Sequence, residues 1–232
     1  MGIKIQVIIP AAGSGTRLKA SVAKPLVLLA GKPLVVHSLE VFQKSPVIHS
    51  IIVVTRRGLI GRFQALAKRF RISKVVKILA GGATRSDSVY EGLKAVDADT
   101  DVVAVHDAAR PLLSAEVLSR ALQLCRKEPA VIVAVPVKST VKKADPKNLH
   151  VLETLPRDVL WEAQTPQIFR KDILFRAHQA RLCCEPTDDA VLVEKMGVRV
   201  KILKGDDRNI KVTTRTDLAV AEVLLKLKGK LR

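Results

Sequence analysis

The run Pro10-Ala11-Ala12-Gly13-Ser14-Gly15-Thr16-Arg17-Leu18 packs small residues and one arginine together, and Lys24-Pro25 follows shortly downstream. Glycines let a backbone come close to a ligand and aim consecutive N–H groups at anionic oxygens. Arg17 and Lys24 add fixed positive charge at the same place. Such a loop suits a nucleoside triphosphate and the stabilisation of negative charge that grows on it during reaction. It lacks the Gly-Lys-Ser/Thr ending of a P-loop. It also has Leu18 where a dinucleotide fingerprint needs its third glycine, and the apolar run ending at Val54 is followed by Thr55-Arg56-Arg57 with no acidic residue for a ribose. ATPase, GTPase and NAD-site readings are therefore set aside.

Three further clusters carry polar chemistry. In Ala80-Gly81-Gly82-Ala83-Thr84-Arg85-Ser86-Asp87-Ser88-Val89, paired glycines precede a hydroxyl-rich helix start. Gly82 can offer its peptide to a base edge and Ser88 can reach it from the first helical turns, while Thr84 or Ser86 could serve only as a cap. In His106-Asp107-Ala108-Ala109-Arg110-Pro111, one carboxylate among alanines suits a magnesium ion that bridges triphosphate oxygens, because Mg²⁺ commonly takes few protein ligands beside substrate phosphates. Arg110 joins the same mouth. His106, closing a buried strand, is expected to be a packed structural residue rather than a general base. Lys211 lies between Ile210 and Val212 in a strand-like stretch, so its side chain points away from theirs and reads as a ligand contact.

The elements that must position these clusters alternate. Strands are predicted at 3–9, 48–55, 75–79, 102–106, 131–137 and 198–203. Helices are predicted at 59–70, 85–96, 115–126 with Ser114 as N-cap, 171–184, 188–196 and 216–228, the last capped by Thr214 or Thr216 with Asp217 in its first turn. This rhythm argues an α/β, Rossmann-like three-layer domain with a mostly parallel sheet, whose ligands sit beyond the carboxyl ends of the strands. It breaks at 138–161, where Pro146, Pro156 and two short strand signals suggest an extended β-arm. An arm of that kind cannot bury both faces on its own domain and is expected to pack on a partner subunit. No repeat or interdomain linker is evident, so residues 1–232 read as a single domain, with 138–160 as the arm.

Composition bounds the rest. The chain has 232 residues, 48% of them hydrophobic, enough for one substantial core. No apolar run approaches a membrane span, and a strand that starts at residue 3 leaves no room for a leader. The three cysteines, Cys125, Cys183 and Cys184, lack zinc-ligand spacing, which suits helix packing in a reducing cytoplasm. The net charge of +18 invites a nucleic-acid partner, but aromatics are 3% of the chain and the cations are spread along it, so nucleic acid is not expected as the primary partner.

Taken in order, these motifs, with Thr165-Pro166-Gln167, Thr187-Asp188-Asp189-Ala190 and Asn209-Ile210-Lys211-Val212-Thr213, closely resemble the 2-C-methyl-D-erythritol 4-phosphate cytidylyltransferase family over essentially the whole chain. The resemblance implies a homodimer that exchanges β-arms, CTP and methylerythritol phosphate as substrates, a divalent metal such as Mg²⁺, and a place in the non-mevalonate route to isoprenoids. It implies that Arg17 and Lys24 stabilise the transition state at the α-phosphorus. Ala11, Ala12, Gly13, Gly15, Thr16, Gly82 and Ser88 would lie on the nucleotide side. Asp107 would contact the metal or the sugar, Arg157 and Lys211 would position the acceptor phosphate, and Arg110 and Thr140 would help bind the acceptor across the dimer. The chain departs from the pattern at Ala83, where some members carry an acid, so that a cytosine contact there would run through backbone. It departs again at Arg208, where many carry an acid; Asp206 or Asp207 could substitute, or Asp107 could suffice. Its length leaves no room for the cyclase domain fused in some relatives. Other expectations compatible with most of these residues are a cytidylyltransferase for another polyol phosphate, such as ribitol 5-phosphate, and a nucleotide- or RNA-binding module without turnover.

Overall fold

The computed structural model describes residues 2–13, 22–180 and 186–228. Seven strands form one sheet. In chain order they are β1 (Ile5–Pro10), β4 (Ser50–Thr55), β5 (Val75–Ala80), β6 (Val102–Val105), β7 (Ala130–Pro136), β10 (Trp161–Arg170) and β11 (Lys201–Lys204). Two small hairpins stand apart from it: β2 (Leu28–Leu29) with β3 (Lys32–Pro33), and β8 (Val141–Ala144) with β9 (Val151–Leu155). The sheet order is β11-β7-β10-β6-β1-β4-β5, and only β10 runs antiparallel to its neighbours. The strand order reverses at β1, whose two partners are β4 and β6. In a doubly wound sheet that reversal opens a crevice beyond the carboxyl ends of the strands. Here it lies between Pro10 and Asp107.

Period-2 alternation divides the strand residues between two layers of helices. Val7, Ile9, Ile51, Val53, Val102 and Ala104 join one core. Their immediate neighbours Ile8, Ile52, Val54, Val103 and Val105 join the other. Both faces are buried, which is why these strands read as nearly continuous apolar runs, interrupted in β1 by the buried Gln6. The first core is covered by α1 (Leu34–Lys44), α2 (Ile60–Arg69) and α4 (Ala115–Leu124), through Phe42, Phe63 and Leu118. The second is covered by α3 (Arg85–Lys94), α5 (Lys171–Ala180) and α6 (Ala190–Glu194), through Val89, Leu174 and Leu192. Gly92 lets α3 settle on β1: a Cβ there would lie 2.7 Å from Ile8 Cγ2.

The expected elements are present with ends shifted by a few residues, and Ser114 caps α4 by accepting the Val117 N–H at 3.1 Å. The structure adds α1 and β10 and corrects one reading. Residues 209–213 are not a strand. They are pinned instead by the Val212 N–H donating to Ala109 O at 2.9 Å and by the fully buried Val212 side chain. The final helix α7 (Arg215–Lys228) packs Leu218, Ala221 and Leu224 over the same cluster. Asp217 accepts the N–H groups of Thr213 and Thr214 and donates its own to Thr214 Oγ1, so Thr214 is the cap. Cys125 closes α4 and is buried; Cys183 and Cys184 lie outside the described residues.

Strands β8 and β9 pair only with each other among the described residues. Leu149, Val151, Leu152 and Val159 are all exposed there. No helix among the described residues is long and apolar enough to cross a membrane.

Candidate active site

The crevice at the strand reversal opens into a cavity of about 590 Å³. Its floor is the end of β1 and the residues after it. Ala11 donates its N–H to Val54 O at 2.6 Å, and Arg56 Nε donates to Ala12 O at 3.0 Å. Ala11, Ala12 and Gly13 all face the opening, as does Lys24. Lys24 begins a single 3₁₀ turn, Lys24–Leu26, anchored by buried Pro25 and Leu26. Gly15, Thr16 and Arg17 lie outside the described residues.

The opposite wall is the glycine pair. Gly81 has no room for a side chain, since a Cβ would meet Ser88 Oγ at 2.6 Å and Ala12 Cβ at 2.9 Å. A Cβ on Gly82 would meet that of Asp87 at 2.3 Å. Both glycines are therefore required by the close approach of the loop to the start of α3. Thr84 and Asp87 form a reciprocal capping box at that helix start. Ser88 lines the cavity while its hydroxyl donates to Thr84 O at 2.9 Å.

Asp107 forms the far side, just beyond β6. Arg85 Nε donates to its Oδ1 at 2.9 Å, and Lys211 Nζ to its Oδ2 at 2.7 Å. Burial by itself would raise the Asp107 pKa, but Arg85 and Lys211 outweigh it and hold the carboxyl well below the usual range. Burial likewise opposes the Arg85 charge, and Asp189 with Asp107 more than restores it, so Arg85 stays cationic. Asp189 accepts from Arg85 Nη1 at 2.8 Å and from His178 Nε2 at 3.1 Å.

His106 is a structural residue. It is fully buried, and its ring meets Phe42 edge-on at 5.2 Å. Arg110 O can only accept, so the His106 Nε2 that lies 3.1 Å from it carries the proton. The neutral ring then accepts at Nδ1 from Thr165 Oγ1, 2.9 Å away, and that hydroxyl accepts the Asp107 N–H at 3.1 Å. Burial pushes the His106 pKa down from 6.5 to about 4. As pH falls below about 6.5 the unfolded chain takes up this proton and the folded chain does not. The contribution to stability is thus complete above about 6.5 and is lost progressively toward pH 4, on the order of 3 kcal/mol in all. His106→Gln should flatten the fall in urea midpoint between pH 7 and 4.5; an unchanged slope would assign the acid sensitivity elsewhere.

The remaining expected site residues are distributed differently. Arg110 lines a smaller adjoining cavity of about 170 Å³ with Asp107 and Lys211. It braces the segment after β11 against β10, donating to Asn209 O at 2.7 Å and Ala163 O at 3.0 Å. Arg157 and Thr140 sit on the arm and line neither cavity; Arg157 Nη1 donates to Lys138 O at 3.2 Å. Asp206 pairs with Arg208 and Asp207 with Lys138. Sequence reasoning assigned no role to Arg56, Arg85, Asp189 or His178. Arg85 and Asp189 do fall inside the quoted motifs, which was the available signal; nothing pointed to His178.

A divalent metal finds no ready protein cage. Among the described residues no group of three His, Cys, Asp or Glu side chains could hold one, and both oxygens of Asp107 already accept from cations. As a metal ligand, Asp107 would first have to release Arg85 or Lys211.

A 2-C-methyl-D-erythritol 4-phosphate cytidylyltransferase of Alkaliphilus metalliredigens is 43% identical over 225 residues, covering 96% of this chain and 93% of its own. The enzyme of the same name from Pelotomaculum thermopropionicum is 44% identical over 226 residues, covering 96% and 94%. The crystal structure of a 4-diphosphocytidyl-2C-methyl-D-erythritol synthase from Anaerococcus prevotii superposes with a TM-score of 0.85 at 31% identity, covering 97% of this chain and all of that one. The profile of one family matches residues 5–227, and with these relatives it places the chain in the 2-C-methyl-D-erythritol 4-phosphate cytidylyltransferase family.

Proposed function

We propose that this chain transfers CMP from CTP to 2-C-methyl-D-erythritol 4-phosphate in the non-mevalonate route to isoprenoid precursors. An acceptor phosphate oxygen attacks the α-phosphorus, the bond to the β-phosphate breaks, and diphosphate leaves with the electron pair. The nucleophile is already anionic near neutral pH, so no proton has to be removed. The observation that carries this reading is a cavity lined, among the described residues, by Lys24, Arg85 and Lys211 with one fully compensated carboxylate and no histidine. Such a site can align two anions and neutralise growing charge, and phosphoryl-type transfer needs little else.

In this reading Ala11, Ala12, Gly13, Gly82 and Ser88, with Gly15 and Thr16, cradle the nucleotide, and Arg17 and Lys24 flank its α-phosphate. Asp107 and Lys211 meet the acceptor, Asp107 at its hydroxyls and Lys211 at its phosphate. Arg157, Thr140 and Arg110 complete that side across a homodimer. A magnesium ion belongs to the proposal as a companion of the triphosphate; it would neutralise phosphate charge, and Asp107 would hold it only on releasing Arg85 or Lys211. The proposed compartment is the cytoplasm. Diphosphate release from CTP, measured against a panel of polyol phosphates, tests the reading. Turnover should be fastest with methylerythritol phosphate; preference for ribitol 5-phosphate, or binding of CTP without turnover, would overturn it.

The chain should sediment as a homodimer at micromolar concentration, with residues 138–160 packed on the partner. Val151 and Leu152, at 59% and 61% exposure, are apolar surface that such packing would cover. A fully active monomer would refute the arm's role.

A further inference from the structure

The Asp107–Lys211 pair is held by Arg85, which also lines the cavity, and behind Arg85 lie two buried side chains, Asp189 and His178, that line neither cavity. Arg85 spans from Asp107 to Asp189, and Asp189 in turn accepts from His178 on α5. Asp189 is 1% exposed and His178 5%. The Tyr90 ring lies nearly parallel to the His178 ring, 6.0 Å away with a 4° interplanar angle, and helps fix its orientation.

We propose that His178 and Asp189 are positioning residues that set Arg85, and through it the Asp107–Lys211 pair that receives the acceptor; this rests on the cytidylyl-transfer reading. A carboxylate only accepts, so His178 Nε2 donates to Asp189 Oδ1. That bond leaves Oδ2 for Arg85 Nη1 and fixes the plane of the carboxylate. Arg85 then has one orientation in which Nη1 meets Asp189 and Nε meets Asp107. Without the His178 donor, Asp189 Oδ1 is a buried, unsatisfied acceptor. The carboxylate gains reason to rotate toward other donors, and the Arg85 guanidinium follows. Asp107 then loses the fixed partner that holds Oδ1 while Lys211 holds Oδ2.

The backbone around Asp189 does not depend on this bond. Gln167 Oε1 accepts the N–H groups of Asp189 and Ala190 at 3.1 and 3.3 Å, and Gln167 Nε2 donates to Asp188 Oδ2 at 2.7 Å. The start of α6 is thus tied to β10 independently. A change at His178 should reach the site through side-chain orientation rather than through loss of the helix.

The test compares His178→Gln with His178→Asn in the full-length protein. Both are polar and uncharged, but only the glutamine amide reaches the position of Nε2. The readouts are steady-state diphosphate release for each substrate, isothermal titration with CTP, and thermal melting. His178→Asn should lower kcat/KM for methylerythritol phosphate by roughly tenfold, the size expected when one member of a coupled network is removed. CTP affinity should not change, and His178→Gln should restore most of the loss. Equal behaviour of the two variants, or a loss shared by CTP binding and explained by melting, would overturn the inference. Failure of the unaltered chain to release diphosphate would instead overturn the cytidylyl-transfer reading. Asp189→Asn, which keeps an acceptor for His178 but removes the charge facing Arg85, should be impaired more than His178→Asn; activity equal to the unaltered chain would refute the chain of contacts.

Discussion

Arg17→Ala or Lys24→Ala is expected to lower kcat by about a hundredfold or more, the usual scale for loss of one charge contact made to a transition state. Lys24 lines the cavity, and its backbone is set by buried Pro25 and Leu26 and by Val27 donating its N–H to Lys24 O at 3.2 Å. The ammonium group therefore sits on a fixed support, so neutralising it removes charge without freeing the loop. Arg17 belongs to the same segment by sequence, where it follows Gly13 and Gly15. Negative charge increases on the bridging oxygen of the leaving diphosphate as the α-phosphorus passes through five-coordination. A fixed cation there stabilises the transition state more than bound CTP, so the loss should fall on kcat more than on KM for CTP. Single-turnover diphosphate release at saturating substrates, with circular dichroism of each variant, checks it. Near-normal kcat in a folded variant would remove that residue from the α-phosphate.

The second large effect concerns the acceptor side. Lys211→Ala and Arg157→Ala should each cost on the order of 2–3 kcal/mol in kcat/KM for methylerythritol phosphate, the worth of a charge-assisted contact to a phosphate, and leave CTP binding nearly intact. Lys211 uses one direction for Asp107 and stays 40% exposed at its side chain, so the ammonium keeps donors for a ligand. Arg157 is exposed on the arm and lies outside both cavities of its own subunit. In the proposed homodimer its effect would come from the partner's site. Mixing the impaired Arg157→Ala and Lys211→Ala chains should recover activity, since one of the two sites in a mixed dimer carries both cations. No recovery from confirmed mixed dimers would place Arg157 at its own subunit's site or outside any site. Weaker CTP affinity in Arg157→Ala, with unchanged acceptor kinetics, would move this arginine to the nucleotide.

Local order in this protein is legible because local causes produce it. The apolar runs of β1, β4 and β6 follow from burial on both faces. The start of α3 follows from Thr84 and Asp87, and that of α4 from Ser114. The glycine pair at 81–82 marks a close approach that the structure realises against Ser88, Asp87 and Ala12. Strand β10 was not legible. It carries Gln164, Thr165 and Gln167 into the interior, where each is satisfied by a distant partner, so the segment lacks the apolar signature of a central strand. The stretch around Lys211 misled in the opposite sense: its apolar neighbours are buried by α7 and the β2–β3 hairpin, not by a sheet.

The sequence alone determined which chemistry the chain can perform. It supplied a glycine-rich loop with two cations, a lone carboxylate at a strand end and a lysine between apolar residues, and it offered no base. Which charges would meet was decided only by the tertiary structure. Arg85 and Asp189 are separated by 104 positions, yet they pair at 2.8 Å in a site that also gathers Asp107, Lys211 and His178. The type of a charged residue fixes its ability to pair and says nothing of its partner. The partner is set by the reversal of strand order at β1 and by the insertion of antiparallel β10, which bring loops from distant parts of the chain to one edge of the sheet.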